Sequence, residues 1–182
     1  MPVNQLQRIV TASLMAALIA VGAYLAIPIG PVPIVLQNLF VLLAALLLGS
    51  RWGLAAVGIY LLVGAVGFPV FSGGKGGLAH FMGPTWGYLI GFAVCAFVAG
   101  NLAGRGSIRI AADLVAVTVG SLLVYACGVP WLKAVTGMSW QKAFMVGMAP
   151  FLIGDAFKAA TAVLLARSLR PVLNRVEQAA EA

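Results

Sequence analysis

Pro150-Phe151-Leu152-Ile153-Gly154-Asp155-Ala156-Phe157-Lys158-Ala159-Ala160 sets a carboxylate and an ammonium three residues apart in an otherwise apolar run. A helix brings positions i and i+3 onto one face, so Asp155 and Lys158 are predicted to point the same way. From Ala159 to Ala166 the only polar residue is Thr161. A segment of this length and character reads as a bilayer span. A charge inside hydrocarbon costs at least about 2.5 kcal/mol on the gentlest insertion scale and is by default a functional residue.

The whole chain agrees with a membrane setting. Of its 182 residues, 63% are hydrophobic and 8% charged, against about 25% charged in an average soluble domain. At about 20 residues per span, the length accommodates six helices and no soluble domain. The expected fold is therefore an all-α integral membrane protein of six transmembrane helices in a single membrane domain, 1–182. The net charge of +7 reads as span-flanking basic residues rather than a nucleic-acid surface. Cys95 and Cys127 sit singly in apolar runs, where thiols act as small hydrophobes. No spacing of a metal site is present, and no cofactor is expected.

Working outward along the chain, the spans are read at about 9–27, 32–48, 52–70, 84–103, 109–130 and 150–167. The first is too long for the apolar core of a signal peptide and is expected to be retained. On it, Ala12, Ala16 and Ala20 recur every fourth residue. Small residues at this spacing let two helices approach closely in lipid, either within the bundle or against a separate membrane partner. Pro28, Pro31 and Pro33 make a tight first loop. Gln37 and Asn38 then place two amides inside an apolar run, where they need partners on another helix or in a ligand cavity.

Gly49-Ser50-Arg51 is read as a turn, and residues 71–85 form the longest irregular connection, rich in glycine. Its spacing is not that of a P-loop. Phe71, Leu78, Phe81 and Met82 argue that it folds onto the membrane domain as a lid, with His80 as a lid or surface residue. Arg109 and Asp113, at i and i+4, are expected to pair. Trp131, Lys133, Trp140 and Lys142 mark an amphipathic connection at headgroup level. Pro171 is expected to end the last helix ahead of a polar tail.

Seven arginines (8, 51, 105, 109, 167, 170, 175) collect on one side of this topology and Lys75, Lys133 and Lys142 on the other. The positive-inside rule puts the arginines, and both termini, in the cytoplasm. Lys158, nine residues before Arg167, then lies about 14 Å along the helix, near the midplane. Pro150 and Gly154 weaken the helix just there. The simplest geometry is an outward-open pocket floored by Asp155 and Lys158 under the 71–83 lid. The competing reading is a structural ion pair.

Two further stretches complete the pattern. Gly83-Pro84-Thr85-x-Gly87-Tyr88 follows the glycine-rich loop, and Pro150-Phe-x-x-Gly-Asp155-x-x-Lys158 lies in the last span. Together with Val32-Pro-Ile-Val-Leu-Gln37-x-Leu-Phe-Val-Leu-Leu-Ala and Tyr125-x-Cys-Gly128-Val-Pro-Trp131-Leu, they resemble the BioY family, the biotin-specific substrate-binding (S) components of energy-coupling-factor (ECF) vitamin transporters. The similarity runs from the first span to Arg170. Trp86 departs from the glycine expected there.

The resemblance implies a multi-pass protein of a bacterial plasma membrane that captures biotin from outside. Its implied partners are a transmembrane coupling subunit and two cytoplasmic ATPases. The chain carries no Walker motif and is expected to be a transporter subunit, not an enzyme. In that light Asp155 is expected to accept from a ureido N–H, Lys158 to donate to the ureido carbonyl or else to the carboxylate tail, and Lys75, between Gly74 and Gly76, is the first candidate for that tail. Trp86 and Tyr88 are expected to pack on the bicycle, and Gln37 joins the candidate site. Ala12, Ala16 and Ala20 become the candidate docking face for the coupling subunit.

Two other functions compete. An autonomous carrier, proton-coupled or homo-oligomeric, would use Asp155 as its titrating group; internal repeats would favour it, and none is evident. A membrane enzyme would need a clustered nucleophile or metal set, for which His80 alone is insufficient.

Overall fold

The computed structural model describes residues 3–104 and 110–181. The first helix, α1 (Val3–Tyr24), leads into a two-stranded antiparallel ribbon, β1 (Ala26–Ile27) with β2 (Ile34–Val35). The proline-rich first loop is thus a small β-ribbon. The prolines, which cannot donate to a ladder, lie between the paired residues. The Leu36 N–H, beyond the ribbon, is bound by the carbonyls of Gly22 and Leu25.

Gln37–Ala65 forms α2, interrupted at Gly49, whose φ of 73° and ψ of −175° leave the helical region. A side chain at that φ is strained, so glycine is required there. The chain reverses at this residue. A Cβ on Gly53 would lie 3.2 Å from the Cα of Ala45, whereas eight residues of straight helix span about 12 Å. Residues 37–48 and 50–65 are therefore the two arms of a helical hairpin. They take the place of the expected spans 32–48 and 52–70, whose outer ends belong to the ribbon and to the next loop.

That loop is packed down rather than free. Phe71 is fully buried, and its ring occupies the space a side chain on Gly64 would need, 2.1 Å from the Cβ position. The Phe71 N–H donates to the Lys75 carbonyl at 2.9 Å and the Gly77 N–H to the Gly64 carbonyl at 2.7 Å. A short 3-10 turn, Leu78–Met82, follows.

Helix α3 (Trp86–Leu102) lies against α4 (Ile110–Thr136) along a seam of small residues. A Cβ on Gly91 would come within 2.8 Å of the Val124 backbone, and one on Gly128 within 2.3 Å of the Tyr88 ring. Helix α4 runs through Pro130 to Thr136, past its expected end. Leu132 is fully buried and the Trp131 indole donates to the Gly83 carbonyl at 3.0 Å, so packing holds the turn that proline weakens. Helix α5 (Trp140–Gly147) is the expected amphipathic connection, with Lys133 over the Trp140 ring at 5.0 Å.

After a 3-10 turn at Ala149–Phe151, α6 (Leu152–Glu181) continues through Pro171, which does not end it. The exposed proline follows directly on Arg170, whose anchored side chain fixes the turn. Among the described residues, four helical stretches are long and apolar enough to cross a membrane, 5–24, 37–65, 110–136 and 140–173, and 86–102 is a shorter apolar helix. Leu14, Val21, Leu62, Phe157 and Leu164 point outward, as lipid-facing side chains do.

The alanine stripe is used inside the chain. Ala12 and Ala16 are buried, Ala12 in a cluster with Met15, Ala44 and Ala56, and Ala20 packs against the core. Small side chains here let α1 approach the α2 hairpin closely. Ala12, Ala16 and Ala20 thus pack inside this chain.

The expected partner of Asp113, Arg109, lies, like Arg105, outside the described residues; among those described, Asp113 is held by Arg170, at 2.7 and 2.8 Å. The carboxylate is fully buried, and the guanidinium also binds the Leu46 carbonyl at 3.0 Å while Gly104 N–H reaches Asp113 at 3.3 Å. One ion pair thus ties α6 to α4, to the chain just after α3 and to the α2 hairpin near its turn. Breaking a buried pair by removing one partner costs about 3–5 kcal/mol. Arg170→Gln is expected to lower stability by about that much in a detergent unfolding assay, and Arg167→Gln by less than about 1 kcal/mol.

Candidate functional site

Pro150 sits at the start of the 3-10 turn that sets α6 off from α5, and α6 then carries Asp155 in its first turn. A helix N-terminus bears partial positive charge, which favours a carboxylate at that position. One turn on, the Lys158 ammonium lies 2.9 Å from Asp155, the two side chains being 12% and 14% exposed. The ammonium also donates to the Val35 carbonyl at 2.7 Å, and the Tyr125 hydroxyl donates to the other Asp155 oxygen. The pair is thus bonded to the ribbon, α4 and α6 at once.

These residues floor a pocket that opens to solvent, with about 590 Å³ of empty space when its open mouth is counted. The ribbon contributes Val35, the start of α2 contributes Gln37 and Asn38, and the loop contributes Phe71, Ser72 and His80. Tyr88, Leu89 and Phe92 come from α3, Val124 and Tyr125 from α4, and Phe151 stands just before α6. The walls are apolar and aromatic with a few polar groups, the composition that holds an organic ligand by burial and orients it by hydrogen bonds.

Four expected site residues, Asp155, Lys158, Gln37 and Tyr88, line this cavity together. The Tyr88 hydroxyl is bound to the Gly147 carbonyl at 2.7 Å, so its ring is the part available. Lys75, Gly74, Gly76 and Trp86 are not among the lining residues. Lys75 and Gly74 are exposed on the loop, with Gly74 near the Tyr24 ring. Gly76 passes against the Phe68 carbonyl, and the Trp86 ring packs at a tilt against Phe81, 4.2 Å between centroids. These residues shape the loop and brace it on the bundle.

Sequence reasoning had no role for Tyr125, Phe71 or Thr85 in the lining and took His80 no further than the lid. Tyr125 lies thirty residues before Asp155, a separation no periodicity exposes. Asn38, noted beside Gln37 as an amide needing a partner, was the one available signal.

Comparison with known proteins follows this geometry. A family model described as the BioY family matches residues 1–175. The chain belongs to the BioY family. Among BioY relatives, a probable biotin transporter of Pyrococcus horikoshii is 45% identical over 158 residues, covering 87% of this chain and 93% of that protein. The biotin transporter of Thermotoga maritima is 42% identical over 165 residues, covering 91% and 96%. A crystal structure of the S-component for biotin from an ECF-type ABC transporter superposes with a TM-score of 0.84 at 31% identity, over 94% of this chain and 95% of that one.

His80 gives the BioY loop a pH dependence. Its ring stacks on buried Phe71 at 4.7 Å and meets the Thr85 hydroxyl at 3.2 Å. Burial, and then the nearby Lys75 charge, hold its pKa below the ordinary 6.5. A depressed histidine binds fewer protons when packed than when released, so the packed loop is favoured above about pH 6.5 and loses that support as pH falls below it. The melting temperature is expected to drop between about pH 7.5 and about pH 5.5 by more in the wild type than in His80→Phe, which keeps the stack and removes the titration.

Proposed function

We propose that this chain captures biotin from outside the cell as the substrate-binding subunit of an ECF-type transporter in a bacterial plasma membrane. The observation that carries the reading is the loop-covered cavity ending on the Asp155–Lys158 pair, in a chain whose relatives are biotin transporters. Biotin combines a ureido ring, an apolar thioether bicycle and a carboxylate tail. Asp155 accepts a ureido N–H, Lys158 donates to the ureido oxygen, and Tyr88 and Phe92 pack on the bicycle. Lys75, exposed on the loop three residues from cavity-lining Ser72, meets the tail. Charge-assisted bonds are roughly twice as strong as neutral ones, which suits capture of a scarce vitamin.

In this reading the bundle crosses the membrane six times, through α1, the two arms of the α2 hairpin, α3, α4 and α6, with both termini cytoplasmic. The hairpin reversal at Gly49 supports the count. The Gly49 turn and the Asp113–Arg170 pair share the end of the bundle opposite the cavity, as expected for the cytoplasmic side. A coupling subunit and two ATPases supply the energy, since the chain has no nucleotide-binding motif of its own.

Asp155→Asn keeps the size of the side chain and removes its charge. It is expected to weaken biotin binding at least tenfold, about 1.4 kcal/mol, by calorimetric titration of detergent-solubilised protein. The variant's melting transition should remain cooperative. Affinity unchanged from the wild type removes Asp155 from the site.

A further inference from the structure

The side-chain carboxylates of this chain are distributed so that none offsets the lysines at the cavity end. Asp113, with its Arg170, lies at the opposite end, Glu177 and Glu181 follow Arg170 along α6, and Asp155 is paired with Lys158 inside the cavity. No Asp or Glu occurs in 1–112 or 114–154, which include the ribbon, the loop, the end of α4 and α5. That end carries Lys75 on the loop, Lys133 in the last turn of α4 and Lys142 on α5. Among the described residues, none of these three lysines is in an ion pair.

These charges stand beside the cavity rather than in its lining. Lys75 is near enough to cavity-lining His80 for its charge to act there. Two residues before Lys133, the Trp131 indole holds the Gly83 carbonyl at 3.0 Å, close to lining Thr85. At the end of α5, the Gly147 carbonyl accepts from the lining Tyr88 hydroxyl at 2.7 Å. Exposed Lys142 is five residues before Gly147, about 7.5 Å along the helix. Lys133 lies over the Trp140 ring at 5.0 Å, which joins the two helix ends that carry the charges.

We propose that Lys133 and Lys142, together with Lys75, form a cationic collar that steers an anionic substrate to the cavity, setting its association rate and its advantage over a neutral analogue. The inference rests on the biotin reading above. A carboxylic acid tail is ionised at neutral pH, so biotin arrives as an anion. A surface of one sign raises the local concentration of an oppositely charged ligand without touching it. In water, a unit charge about 10 Å away does so about twofold, so Lys133 and Lys142 supply about fourfold before screening. A Debye length of about 30 Å at 0.01 M salt leaves about threefold, and one of about 3 Å at 1 M removes the effect.

The test is stopped-flow binding to the full chain in phosphatidylcholine nanodiscs, at about 0.01 M and about 1 M salt. The ligands are biotin and biotinamide, whose tail is neutral. In the wild type, the biotin association rate is expected to fall at least threefold between the two salts, and that of biotinamide by less than about 1.5-fold. Lys133→Gln with Lys142→Gln is expected to slow biotin association about threefold at low salt, with the dissociation rate unchanged. If that pair does not melt cooperatively, Lys133→Met with Lys142→Met keeps the apolar stems, and the same loss is expected. Arg51→Gln with Arg175→Gln removes as much charge from exposed positions toward the other end and should leave the rate as it was. A slowing below about 1.5-fold, an equal slowing in the arginine control or with biotinamide, or a change confined to dissociation overturns the collar and leaves biotin capture standing. A folded wild type that binds neither ligand overturns both.

Discussion

An ammonium held among apolar helices must be bonded on several sides, and Lys158 shows how this chain meets that demand. Its partners are the Asp155 carboxylate one turn earlier and the Val35 carbonyl, 123 residues away in sequence. Asp155 in turn engages Tyr125 on α4. These bonds fix where the ribbon, the start of α2, α4 and α6 stand relative to one another, and the space between them is the cavity. The pair is therefore a structural tie that also forms the polar floor of the cavity. Leaving N–H and lone-pair capacity free on both groups lets a ligand complete the network.

The rest of the bundle separates support from binding. At the opposite end, Arg170 clamps Asp113 and the Leu46 carbonyl beside the Gly49 reversal. This second charge pair is bonded within the protein, to the Leu46 carbonyl and the Gly104 N–H. Between the two ends, the glycine seam of α3 and α4 brings the helices together closely enough to aim Tyr88 and Tyr125 at the same space. Above it, Phe71 plugs against Gly64 and stacks with His80, so the loop is seated by aromatic packing.

How much of this was readable in the chain depends on the range of the interaction. The i, i+3 relation of Asp155 and Lys158 is local, and it appears in the structure as a direct ion pair. The apolar runs marked the helices, and Phe71 and Phe81 marked a loop that folds down. Partners far apart were not legible: Tyr125 to Asp155, Arg170 to Asp113, Lys158 to Val35. Each joins segments that only the packed bundle makes neighbours. Pro171 was overweighted as a stop, because a proline's local cost does not include the anchoring that Arg170 supplies. The alanine stripe showed that helices approach closely, but not which helix.

The central claim is that the cavity above Asp155 and Lys158 is a biotin site, and identification of the bound ligand tests it most directly. Protein purified in mild detergent would be denatured and the released small molecules identified by mass spectrometry, then the stripped protein titrated with biotin. The account predicts released biotin, or saturation at one equivalent per chain. A folded, monodisperse and empty protein that takes up no biotin would contradict it.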